Sequence, residues 1–431
     1  MRGSRAIEPV SEPIDTVVRP PGSKSETIRA LVLASLAKGD SIITHALDSD
    51  DTRHARGALS ALGVDLEESG TAWTVTGTSG QFGSISPHVD AGASGLTARC
   101  LIAIAPLVNG IVTIDGRDRL PERPMAPILD ALTALGVAVS SRQGRLPVEV
   151  VGTGAVSGGD VHVDSAQSSQ FATALLMVAP LANTRMRVFP TSLAGSAGYL
   201  DMTLELMATF GVVAESLGDG WSVPNSGYAA TTVSIEPDAS AAVYPMTAAA
   251  ITGGRVTIAG LGGGSLQPDS RVADVLGEMG CSVEKTGDSI TVDARDRDLV
   301  AVDADLSSLP DGALAIAVAA LFARGNSRLR GLGSLRFKES DRLAALATEL
   351  NRLGADVVVE DDDLLISPRT LRPSTIDTYG DHRMAMSLSL VGLAVPGIVI
   401  SEPGVVDKTW PGFWEMLEDL RIPRDRPGGA T

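Results

Sequence analysis

Hydroxyl and cationic side chains are concentrated in one stretch near the N-terminus, residues 20–31, which reads Pro-Pro-Gly-Ser-Lys-Ser-Glu-Thr-Ile-Arg-Ala-Leu. The Pro-Pro-Gly entry ends whatever element precedes it, because proline fixes its own φ and restricts the residue before it. Ser23 or Ser25 can then cap a helix formed by the small and apolar residues that follow. Lys24 and Arg29 would add two cations to the free N–H groups and the positive dipole end of that helix, which favours binding of a phosphate or carboxylate. Taken alone, the stretch also fits an ordinary capped surface helix.

The composition narrows the class of protein and of partner. A chain of 431 residues is too long for one ordinary core, so we expect two or three domains. A formal charge of −17 argues against nonspecific nucleic-acid binding and against an anionic membrane surface, so an anionic ligand needs a local basic cluster. Cys100 and Cys281 are isolated thiols that predict neither a metal site nor a disulfide framework, and no run of apolar residues approaches a membrane span. We therefore expect a soluble cytoplasmic protein.

A helix that ends in a Gly or Asn turn and leads into an alternating strand recurs six times along the chain. The six turn-and-strand copies lie at residues 38–43, 109–114, 183–188, 253–258, 325–330 and 396–400. Between them falls a second motif, a helix that ends at a glycine before another strand. The glycines of this motif are Gly63, Gly136, Gly211, Gly280 and Gly354, with spacings of 73, 75, 69 and 74 residues.

The repeat also predicts the fold class. Alternation of helices and strands inside each unit indicates an α/β or α+β protein and not an all-α solenoid. Six units are too many for one compact domain, so two domains of three units each is the economical partition. The Pro-Pro-Gly at residues 20–22 and the turn-rich stretch 218–230 are the expected crossings between the domains.

Several first helices of the repeats begin with polar or charged residues, whereas the second helices are ordinary and amphipathic. If three repeats pack around a pseudo-threefold axis, equivalent helices run roughly parallel and their N-termini converge on one end of each domain. Two such ends facing each other would form an electropositive cleft. The polar starts lie at residues 23–29, 93–99, 168–171, 238–242, 310–313 and 381–384.

Further cations lie outside these helix starts. Arg123 ends the segment Leu-Pro-Glu-Arg, and in Arg-Phe-Lys-Glu-Ser-Asp-Arg the cations Lys338 and Arg342 are four residues apart. Such a charged run usually marks a solvated helix face. Lys408 is uninformative by itself, whereas His382, followed directly by an arginine, makes a poor core residue.

Five motifs, in this order and spacing, resemble those of the 5-enolpyruvylshikimate-3-phosphate synthase family: Pro-Gly-Ser-Lys-Ser, Glu-Arg-Pro, Ser-Ser-Gln-Phe, Lys-Glu-Ser-Asp-Arg and Asp-His-Arg-Met-Ala-Met. The resemblance covers essentially the whole chain, including the repeat. It implies an α/β (α+β) inverse-repeat fold of two domains, each with three βαβαββ units around a pseudo-threefold axis, and an active site in the interdomain cleft. The implied domains are residues 22–228, and residues 1–21 together with 229–431, because the family's chain crosses between domains twice.

The family reaction moves the enolpyruvyl group of phosphoenolpyruvate onto the 5-hydroxyl of shikimate 3-phosphate and releases phosphate, on the way to chorismate and the aromatic amino acids. Two phosphates and two carboxylates on the substrates call for many cations, and arginine is the natural bidentate partner of a carboxylate. By resemblance, the residues that hold shikimate 3-phosphate are Lys24, Ser25, Arg29, Ser168, Ser169, Gln170, Ser196, Tyr199, Asp311, Ser334 and Lys338. Those that surround phosphoenolpyruvate are Lys24, Gly95, Arg123, Gln170, Arg342, His382, Arg383 and Lys408.

The resemblance further implies addition followed by elimination through a tetrahedral intermediate. A general acid protonates the methylene carbon while a base takes the 5-hydroxyl proton. Asp311 is the expected base. Glu339 is the expected proton donor, and because its cationic neighbours favour the ionised carboxylate, this role requires desolvation to oppose them. Lys24 and Lys408 would stabilise the departing phosphate, and His382 completes the expected catalytic set. This mechanism calls for no metal or organic cofactor. Domain closure would exclude water and gate the rate.

The sequence departs from the family pattern in two places. The common Asn-Ala-Gly-Thr-Ala-Met-Arg-Pro is Ala-Ser-Gly-Leu-Thr-Ala-Arg-Cys at residues 93–100, so that Ser94, Leu96 and Cys100 stand where other residues are usual. These positions shape the phosphoenolpyruvate pocket and its response to the inhibitor glyphosate, so sensitivity to that inhibitor stays open. Ser334 replaces a common asparagine, and we expect it to weaken one contact to the shikimate phosphate.

Two alternative functions remain. An enolpyruvyl transferase that acts on UDP-N-acetylglucosamine shares the fold and the donor, but it has Lys-Asn where Lys24 and Ser25 stand, and it usually carries a loop cysteine that residues 115–124 lack. A non-catalytic repeat scaffold would place variable polar residues at the helix starts. A Walker-type kinase is excluded, because the Gly-rich spacing required before Lys24 is absent. We expect a monomer that binds small-molecule substrates, with neither nucleic acid nor membrane as a partner.

Overall fold

The computed structural model describes residues 3–83, 86–193 and 197–422. Two compact units divide the chain: Gly22–Glu236, here the middle unit, and Met1–Pro21 with Pro237–Thr431, here the terminal unit. The helices in the described ranges are α1 Lys24–Leu36, α2 Asp50–Ala61, α3 Gly95–Ile104, α4 Ala126–Ala134, α5 Gln170–Val178, α6 Ala197–Thr209, α7 Ala239–Thr252, α8 Val272–Glu278, α9 Ala313–Ala320, α10 Arg342–Arg352, α11 His382–Ser389 and α12 Phe413–Asp419.

Short strands alternate with these helices along the chain. They are β1 Ser4–Ile7, β2 Asp15–Val18, β3 Ala37–Thr44, β4 Asp65–Ser69, β5 Ala72–Thr78, β6 His88–Asp90, β7 Asn109–Asp115, β8 Ala138–Arg142, β9 Arg145–Thr153, β10 Gly159–Asp164, β11 Met186–Thr191, β12 Glu215–Ser216, β13 Trp221–Val223, β14 Tyr228–Ala229, β15 Thr232–Ser234, β16 Arg255–Ala259, β17 Ser282–Lys285, β18 Ser289–Asp293, β19 Asp303–Asp305, β20 Ser327–Arg330, β21 Asp356–Glu360, β22 Asp363–Ser367, β23 Ser374–Ile376 and β24 Ile398–Ser401.

The predicted repeat is present in the secondary structure. The six turn-and-strand copies coincide with β3, β7, β11, β16, β20 and β24. The five predicted glycines follow the even-numbered helices α2 to α10 and have φ between +84° and +107°, the left-handed conformation that ends a helix at little cost only for glycine. After β24 a further even-numbered helix, α12, takes the place of the second helix in the sixth unit.

Each sheet is mixed and contains both parallel and antiparallel pairs of strands. In the middle unit the strand orders are β14-β3-β5-β4 with β15 also paired to β3, β6-β7-β9-β8 and β10-β11-β13-β12. In the terminal unit the orders are β17-β18-β16-β2, β19-β20-β22-β21 and β1-β24-β23. The recurring arrangement is, for example, β6 parallel to β7, β7 antiparallel to β9, and β9 antiparallel to β8. This is the pattern of a βαβαββ unit.

Three of the sheets are completed by strands that are distant in sequence from their pairing partners. β2 pairs in parallel with β16, with Asp15 opposite Arg255, and β1 pairs antiparallel with β24. β14 and β15 both pair in parallel with β3. For that reason the middle unit extends to Glu236, and the predicted boundary after residue 228 lies too early.

The odd-numbered helices form the core of each unit. All ten residues of α3, and all eight of both α9 and α11, are buried. A helix that is buried on every side must be satisfied at its ends, because its first N–H groups have no partner within the helix. Capping side chains supply the acceptors at four of these starts: Ser23, Ser94, Asp238 and Asp381. The core helices therefore bring polar groups to their N-termini in both units.

Candidate active site

The start of α1 is capped as predicted, and its lysine is paired. Ser23 is the N-cap, and its hydroxyl accepts a hydrogen bond from the backbone N–H of Glu26 at 3.4 Å. Lys24 Nζ lies 3.4 Å from Oδ2 of Asp51, a side chain that is only 2% exposed. Asp51 comes from α2 and was not predicted as part of the site, because nothing in its sequence context singles it out.

Arg29 is buried and is held by neutral oxygens. Its Nε donates to Thr203 Oγ1 at 2.8 Å, Nη1 donates to the carbonyl of Ser25 at 2.9 Å, and Nη2 donates to the carbonyl of Tyr199 at 3.4 Å. The guanidinium also lies 6.0 Å from the centre of the Tyr199 ring. Burial lowers the pKa of Arg29 below its ordinary value, and the opposing influences of Cys100, Tyr199 and Glu26 are smaller.

A second cluster of side chains in the middle unit lies where α3 and α5 begin. Arg99 Nη1 donates to Gln170 Oε1, Nη2 donates to the carbonyl of Pro124 at 3.3 Å, and the guanidinium lies 4.5 Å from the centre of the Phe171 ring. Gly95 is packed against this group. A Cβ added to Gly95 would lie 2.8 Å from Arg99 Nη1 and 3.0 Å from Cζ of Arg123.

Three predicted residues, Gly95, Arg123 and Gln170, are thus brought together around Arg99. Arg99 itself was quoted in the motif of α3 without being assigned to the site. An arginine five residues after a helix cap was the signal that could have identified it.

The remaining predicted residues of the middle unit lie at the starts of α5 and α6. Ser168 Oγ accepts from the N–H of Gln170 at 3.3 Å, and Ser169 precedes the helix as its N-cap. Tyr199 lies in the first turn of α6 and is half-buried. Thr203 on α6 joins Arg29 to Thr173 on α5 through a contact of 3.3 Å between the two hydroxyl oxygens. Ser196, also predicted, lies outside the described residues.

Cys100, at the altered end of the α3 motif, is a buried and free thiol. Burial raises its pKa to about 12, against the smaller influence of Arg29 and Arg99. The thiol is therefore protonated at neutral pH and is no nucleophile.

In the terminal unit, Asp311 lies between two arginines. Its Oδ1 accepts from Arg342 Nη1 at 2.8 Å, and its Oδ2 accepts from Arg383 Nη2 at 2.9 Å. Arg342 begins α10, Arg383 lies in the first turn of α11, and Asp311 precedes the N-cap of α9, so three elements converge on one carboxylate. Asp311 keeps 20% of its side chain exposed, whereas the exposure of Arg342 is 1% and that of Arg383 is 5%.

Arg342 is surrounded by carboxylates. Beyond Asp311, its Nη2 donates to Glu339 Oε2 at 2.9 Å, and its Nε donates to Asp381 Oδ2 at 2.8 Å. Burial alone would lower the pKa of Arg342, but Asp381, Glu339 and Asp311 together raise it above its ordinary value. The charged run at residues 336–342 is therefore no solvated helix face: a 3₁₀ helix covers Gly333–Phe337, α10 begins only at Arg342, and that side chain is buried.

Asp381 organises this network although the sequence analysis did not assign it a role. It is fully buried, caps α11 through the N–H of Arg383 at 2.9 Å, and accepts from the Ser340 hydroxyl at 3.0 Å as well as from Arg342. The signal was present in the Asp-His-Arg motif, because an aspartate directly before a helix is a common N-cap.

His382 is a buried and neutral histidine. Burial, and then the positive charge of Arg383, lower its pKa well below the ordinary value, with Arg342 and Lys408 acting in the same direction. Within the described residues, neither ring nitrogen has a hydrogen-bond partner. The ring is only 1% exposed, so it is uncharged at neutral pH and has unused hydrogen-bonding capacity.

The other predicted residues of the terminal unit are half-buried. Ser334 lies in the 3₁₀ helix Gly333–Phe337, Lys338 follows it, and Lys408 ends the 3₁₀ helix Pro403–Lys408. In both units, every predicted site residue that the structure describes is buried or half-buried. Tyr244 of α7 adds an unpredicted contact, a 3.3 Å hydrogen bond between its hydroxyl and Arg383 Nη1.

The part of the chain that the structure describes holds neither a cluster of metal-ligating side chains nor a membrane-spanning helix. No group of three or more His, Cys, Asp and Glu side chains there is arranged to hold a metal ion. None of the helices in the described ranges combines the length and the hydrophobicity that a membrane crossing requires.

Comparisons with known proteins agree on one family. The family model described as EPSP synthase (3-phosphoshikimate 1-carboxyvinyltransferase) matches residues 9–417. The 3-phosphoshikimate 1-carboxyvinyltransferase of Aliivibrio salmonicida is 42% identical over 429 residues, which cover 97% of this chain and 100% of that protein. The protein of the same name from Erwinia tasmaniensis is 42% identical over 430 residues, with coverage of 97% and 99%.

Solved structures share the fold at lower identity. EPSP synthase from Acinetobacter baumannii superposes with a TM-score of 0.82 at 24% identity and covers 97% of this chain and 98% of its own. The enolpyruvyl transferase NikO from Streptomyces tendae superposes with a TM-score of 0.77 at 19% identity, with the same coverage. The chain therefore has the enolpyruvyl transferase fold, and the six mixed sheets agree with its repeated βαβαββ units.

The sequence relatives define the family within that fold. The chain belongs to the EPSP synthase (3-phosphoshikimate 1-carboxyvinyltransferase) family. It is an enzyme with EPSP synthase activity (EC 2.5.1.19), a transferase of the shikimate pathway in aromatic amino acid biosynthesis. This activity implies shikimate 3-phosphate and phosphoenolpyruvate as substrates, and the family resemblance seen in the sequence motifs is confirmed.

Proposed function

We propose that the chain carries out this transfer by addition and elimination, with the predicted residues of the two units as its binding and catalytic groups. In the addition, the 5-hydroxyl oxygen of shikimate 3-phosphate bonds to C2 of phosphoenolpyruvate, the hydroxyl proton goes to a base, and C3 gains a proton. In the elimination, C3 loses a proton, the C2–O bond to phosphate breaks, and the C2–C3 double bond is restored. The observation that carries the proposal is Asp311 between Arg342 and Arg383, with Glu339 on the same arginine.

Asp311 acts as the base in this proposal. Both of its oxygens now accept hydrogen bonds from guanidinium groups, which hold the carboxylate in place but also occupy it. The carboxylate and phosphate of phosphoenolpyruvate are anions of the same kind and would draw Arg342 and Arg383 toward themselves. Binding of the donor would then release lone pairs of Asp311 and strengthen it as a base at the moment when the acceptor hydroxyl arrives.

Glu339 acts as the proton donor to C3 and takes the proton back in the elimination. Its contact with Arg342 at 2.9 Å places it beside the same cation that would bind the donor. His382 contributes a neutral ring with unused hydrogen-bonding capacity, so in this proposal it binds an oxygen of phosphoenolpyruvate without adding charge. Lys24 and Lys408 supply the positive charges for the bridging oxygen and the departing phosphate.

The middle unit holds the acceptor in this proposal. Arg29, Ser25, Ser168, Ser169, Gln170, Ser196 and Tyr199 would bind shikimate 3-phosphate together with Lys24, and Ser334 and Lys338 of the terminal unit would complete the set. Arg29 supports this role, because it is buried among neutral oxygens and a bound anion would be its first full counter-charge among the partners named above. Gly95 and Arg123 would bind phosphoenolpyruvate, since the close packing at Gly95 leaves its backbone next to Arg123.

Proton exchange at C3 tests the mechanism. The enzyme is incubated with both substrates in deuterium oxide, and the product is examined by NMR. Addition and elimination predict deuterium at C3 of the product, because C3 becomes a methyl group in the intermediate. Product without deuterium at C3 would contradict the mechanism. Glu339→Gln should abolish the exchange, whereas Glu360→Gln, on the exposed end of β21, should leave it unchanged.

Release of phosphate tests which acceptor the enzyme uses. NikO shows that this fold also serves other enolpyruvyl transferases, so the acceptor is set by the site and not by the fold. We expect phosphate release from phosphoenolpyruvate with shikimate 3-phosphate and none with UDP-N-acetylglucosamine. Release only with UDP-N-acetylglucosamine would support the alternative hypothesis, an enolpyruvyl transferase that acts on this sugar nucleotide.

We also propose that the enzyme is a monomer of the cytoplasm. Both cysteines are free and buried, which agrees with a reducing compartment. Light scattering after gel filtration tests the first point, and fractionation of the source cells tests the second. A dimer mass or recovery in an oxidising compartment would contradict the respective statement.

A further inference from the structure

Asp269 is a buried carboxyl group that the mechanism has not used. It lies in the 3₁₀ helix Pro268–Arg271, directly before α8, and is 1% exposed. Buried carboxyl groups are uncommon unless their oxygens are hydrogen-bonded, so its partners indicate what it does.

Both oxygens of Asp269 have a partner. Oδ1 accepts from the backbone N–H of Gly312 at 3.2 Å, and Oδ2 accepts from the hydroxyl of Ser240 on α7. Gly312 follows Asp311 directly and is the N-cap of α9. The peptide group that Asp269 holds is therefore the one that joins Asp311 to its helix.

Packing restricts the same peptide from another side. A Cβ added to Gly312 would lie 2.4 Å from Cγ2 of Val272 and 3.6 Å from Cγ1 of Val243, so there is no room for even a methyl group. The backbone of Asp311 is thus fixed by Asp269 and this packing, while its carboxylate is fixed by Arg342 and Arg383.

The charges around Asp269 couple it to Asp311 as well. Burial and then the nearby charge of Asp311 raise the pKa of Asp269 to about 6, with Asp238 acting in the same direction and Arg383 and the Ser240 hydroxyl opposing them. These groups lie at the start of α7, directly before α9 and on α11. Asp269 is therefore anionic only above about pH 6, where its charge strengthens Asp311 as a base, because like charges disfavour the charged form.

We propose that Asp269 is a positioning residue for Asp311, which it holds in the orientation required of a base through the N–H of Gly312. The inference rests on the proposed role of Asp311. Asp269 touches neither substrate nor reacting atom in this proposal, and its effect is on turnover and not on binding. A misplacement of a reacting group by about 1 Å costs on the order of 100-fold in rate, so a lost anchor at this peptide has a measurable consequence.

Three variants of the full-length enzyme test this role. Asp269→Ala removes both hydrogen bonds, and we expect kcat to fall on the order of 10–100-fold while KM for both substrates stays within about threefold. Asp269→Asn keeps an oxygen that can accept from Gly312 and removes the charge. It should restore most of kcat and remove the decrease in kcat that protonation of Asp269 causes near pH 6 in the unaltered enzyme, because Asp311 then has no titrating neighbour at this position. Ser240→Ala leaves the Gly312 contact in place and should keep kcat within about twofold.

The outcomes separate this role from a purely structural one. A structural Asp269 would change the urea midpoint and leave both kcat and its pH dependence near pH 6 unmoved, which would overturn the proposal. If Asp269→Ala does not fold by circular dichroism, the pH profile of Asp269→Asn decides: a decrease in kcat near pH 6 that is the same as in the unaltered enzyme overturns the proposal. Asp311→Asn is measured in parallel. Full turnover of that variant would overturn the base assignment and this proposal with it, whereas an inactive Asp311→Asn beside a fully active Asp269→Ala would overturn only the role of Asp269.

Discussion

Arg29 of the middle unit and the arginines of the terminal unit are buried to similar extents but held by different partners. Arg29 donates to one hydroxyl and two backbone carbonyl oxygens, all of them neutral. Arg342 and Arg383 donate chiefly to carboxylates, with Asp311 shared between them. The pKa values follow: burial lowers that of Arg29, whereas neighbouring carboxylates outweigh burial and raise those of Arg342 and Arg383.

This difference assigns different tasks to the two groups. A buried cation among neutral dipoles carries an uncompensated charge, so an incoming anion gains the full attraction without displacing a counter-ion. Cations that are already paired with carboxylates form a group with little net charge. An incoming anion must therefore compete with those carboxylates for the arginines, and the competition removes hydrogen bonds from the carboxylates. In the proposed mechanism, Arg29 of the middle unit is therefore suited to binding, and the terminal unit is suited to coupling binding with proton transfer.

Loss of the central carboxylate should have the largest effect. Asp311→Asn keeps the shape of the side chain but removes the base, and we expect kcat to fall by about 10²–10⁴-fold with a small change in KM. Steady-state kinetics measure this, with Asp303→Asn on the surface strand β19 as the matched control. Turnover above about a tenth of the original would contradict the assignment of Asp311 as base and with it the coupling role of the terminal unit.

The free energies of unfolding of two arginine variants, one in each unit, allow a direct comparison. Arg342→Met leaves Asp311, Glu339 and Asp381 close together without their cation, and we expect a loss of about 3–5 kcal/mol in the free energy of unfolding at pH 7. Arg29→Met leaves only neutral acceptors, each of which costs about 1–3 kcal/mol when left buried without a partner, so its loss should be smaller. Urea denaturation measures both.

The pH dependence of the same two variants sharpens the comparison. The loss in Arg342→Met should shrink as the pH falls, because the abandoned carboxylates can take up protons, whereas that in Arg29→Met should not. Equal losses with equal pH dependence would contradict the distinction between charge-paired and neutral partners.

A methyl group at Gly95 tests the two arginines that pack against this residue in the middle unit. In Gly95→Ala the new Cβ would approach Arg99 Nη1 and Arg123 Cζ at 2.8–3.0 Å, so the guanidinium groups must move. We expect KM for phosphoenolpyruvate to rise by about tenfold, equivalent to about 1.4 kcal/mol, with little change in KM for shikimate 3-phosphate. Gly57→Ala on α2 is the control, since its Cβ would meet nothing within 4 Å. A rise in both KM values would indicate that the effect is not confined to the arginines around Gly95.

The sequence predicted the repeat and the helix starts better than it predicted the partners of the charged residues. Periodic glycines, strand alternation and capping residues act locally, so residues such as Gly63 and Ser23 could be placed from neighbouring letters alone. The partners of Arg342 come from three separate segments, and the pairing of Lys24 with Asp51 depends on how α2 packs against α1. Contacts of this kind have no local signature, and neither Asp269 nor Thr203 could have been found without the structure.

The smallest expected effect concerns His382, which is a neutral ring among the charged groups of the terminal unit. Its folded pKa is lowered well below the value of about 6.5 expected in the unfolded chain. Above that pH both states hold a neutral ring, and the histidine has no effect on stability. As the pH falls below about 6.5 the unfolded chain takes up a proton that the folded protein excludes, which costs up to about 1.4 kcal/mol per pH unit.

Urea denaturation between about pH 5 and pH 7.5 measures this dependence. Replacement by glutamine, His382→Gln, should flatten it, whereas His88→Gln, at a side chain that is 66% exposed, should not. Parallel curves for His382→Gln and the unaltered enzyme would show that the ring is charged in the folded state. In that case His382 would be a third cation beside Arg342 and Arg383, and its proposed role as a neutral hydrogen-bonding group would be wrong.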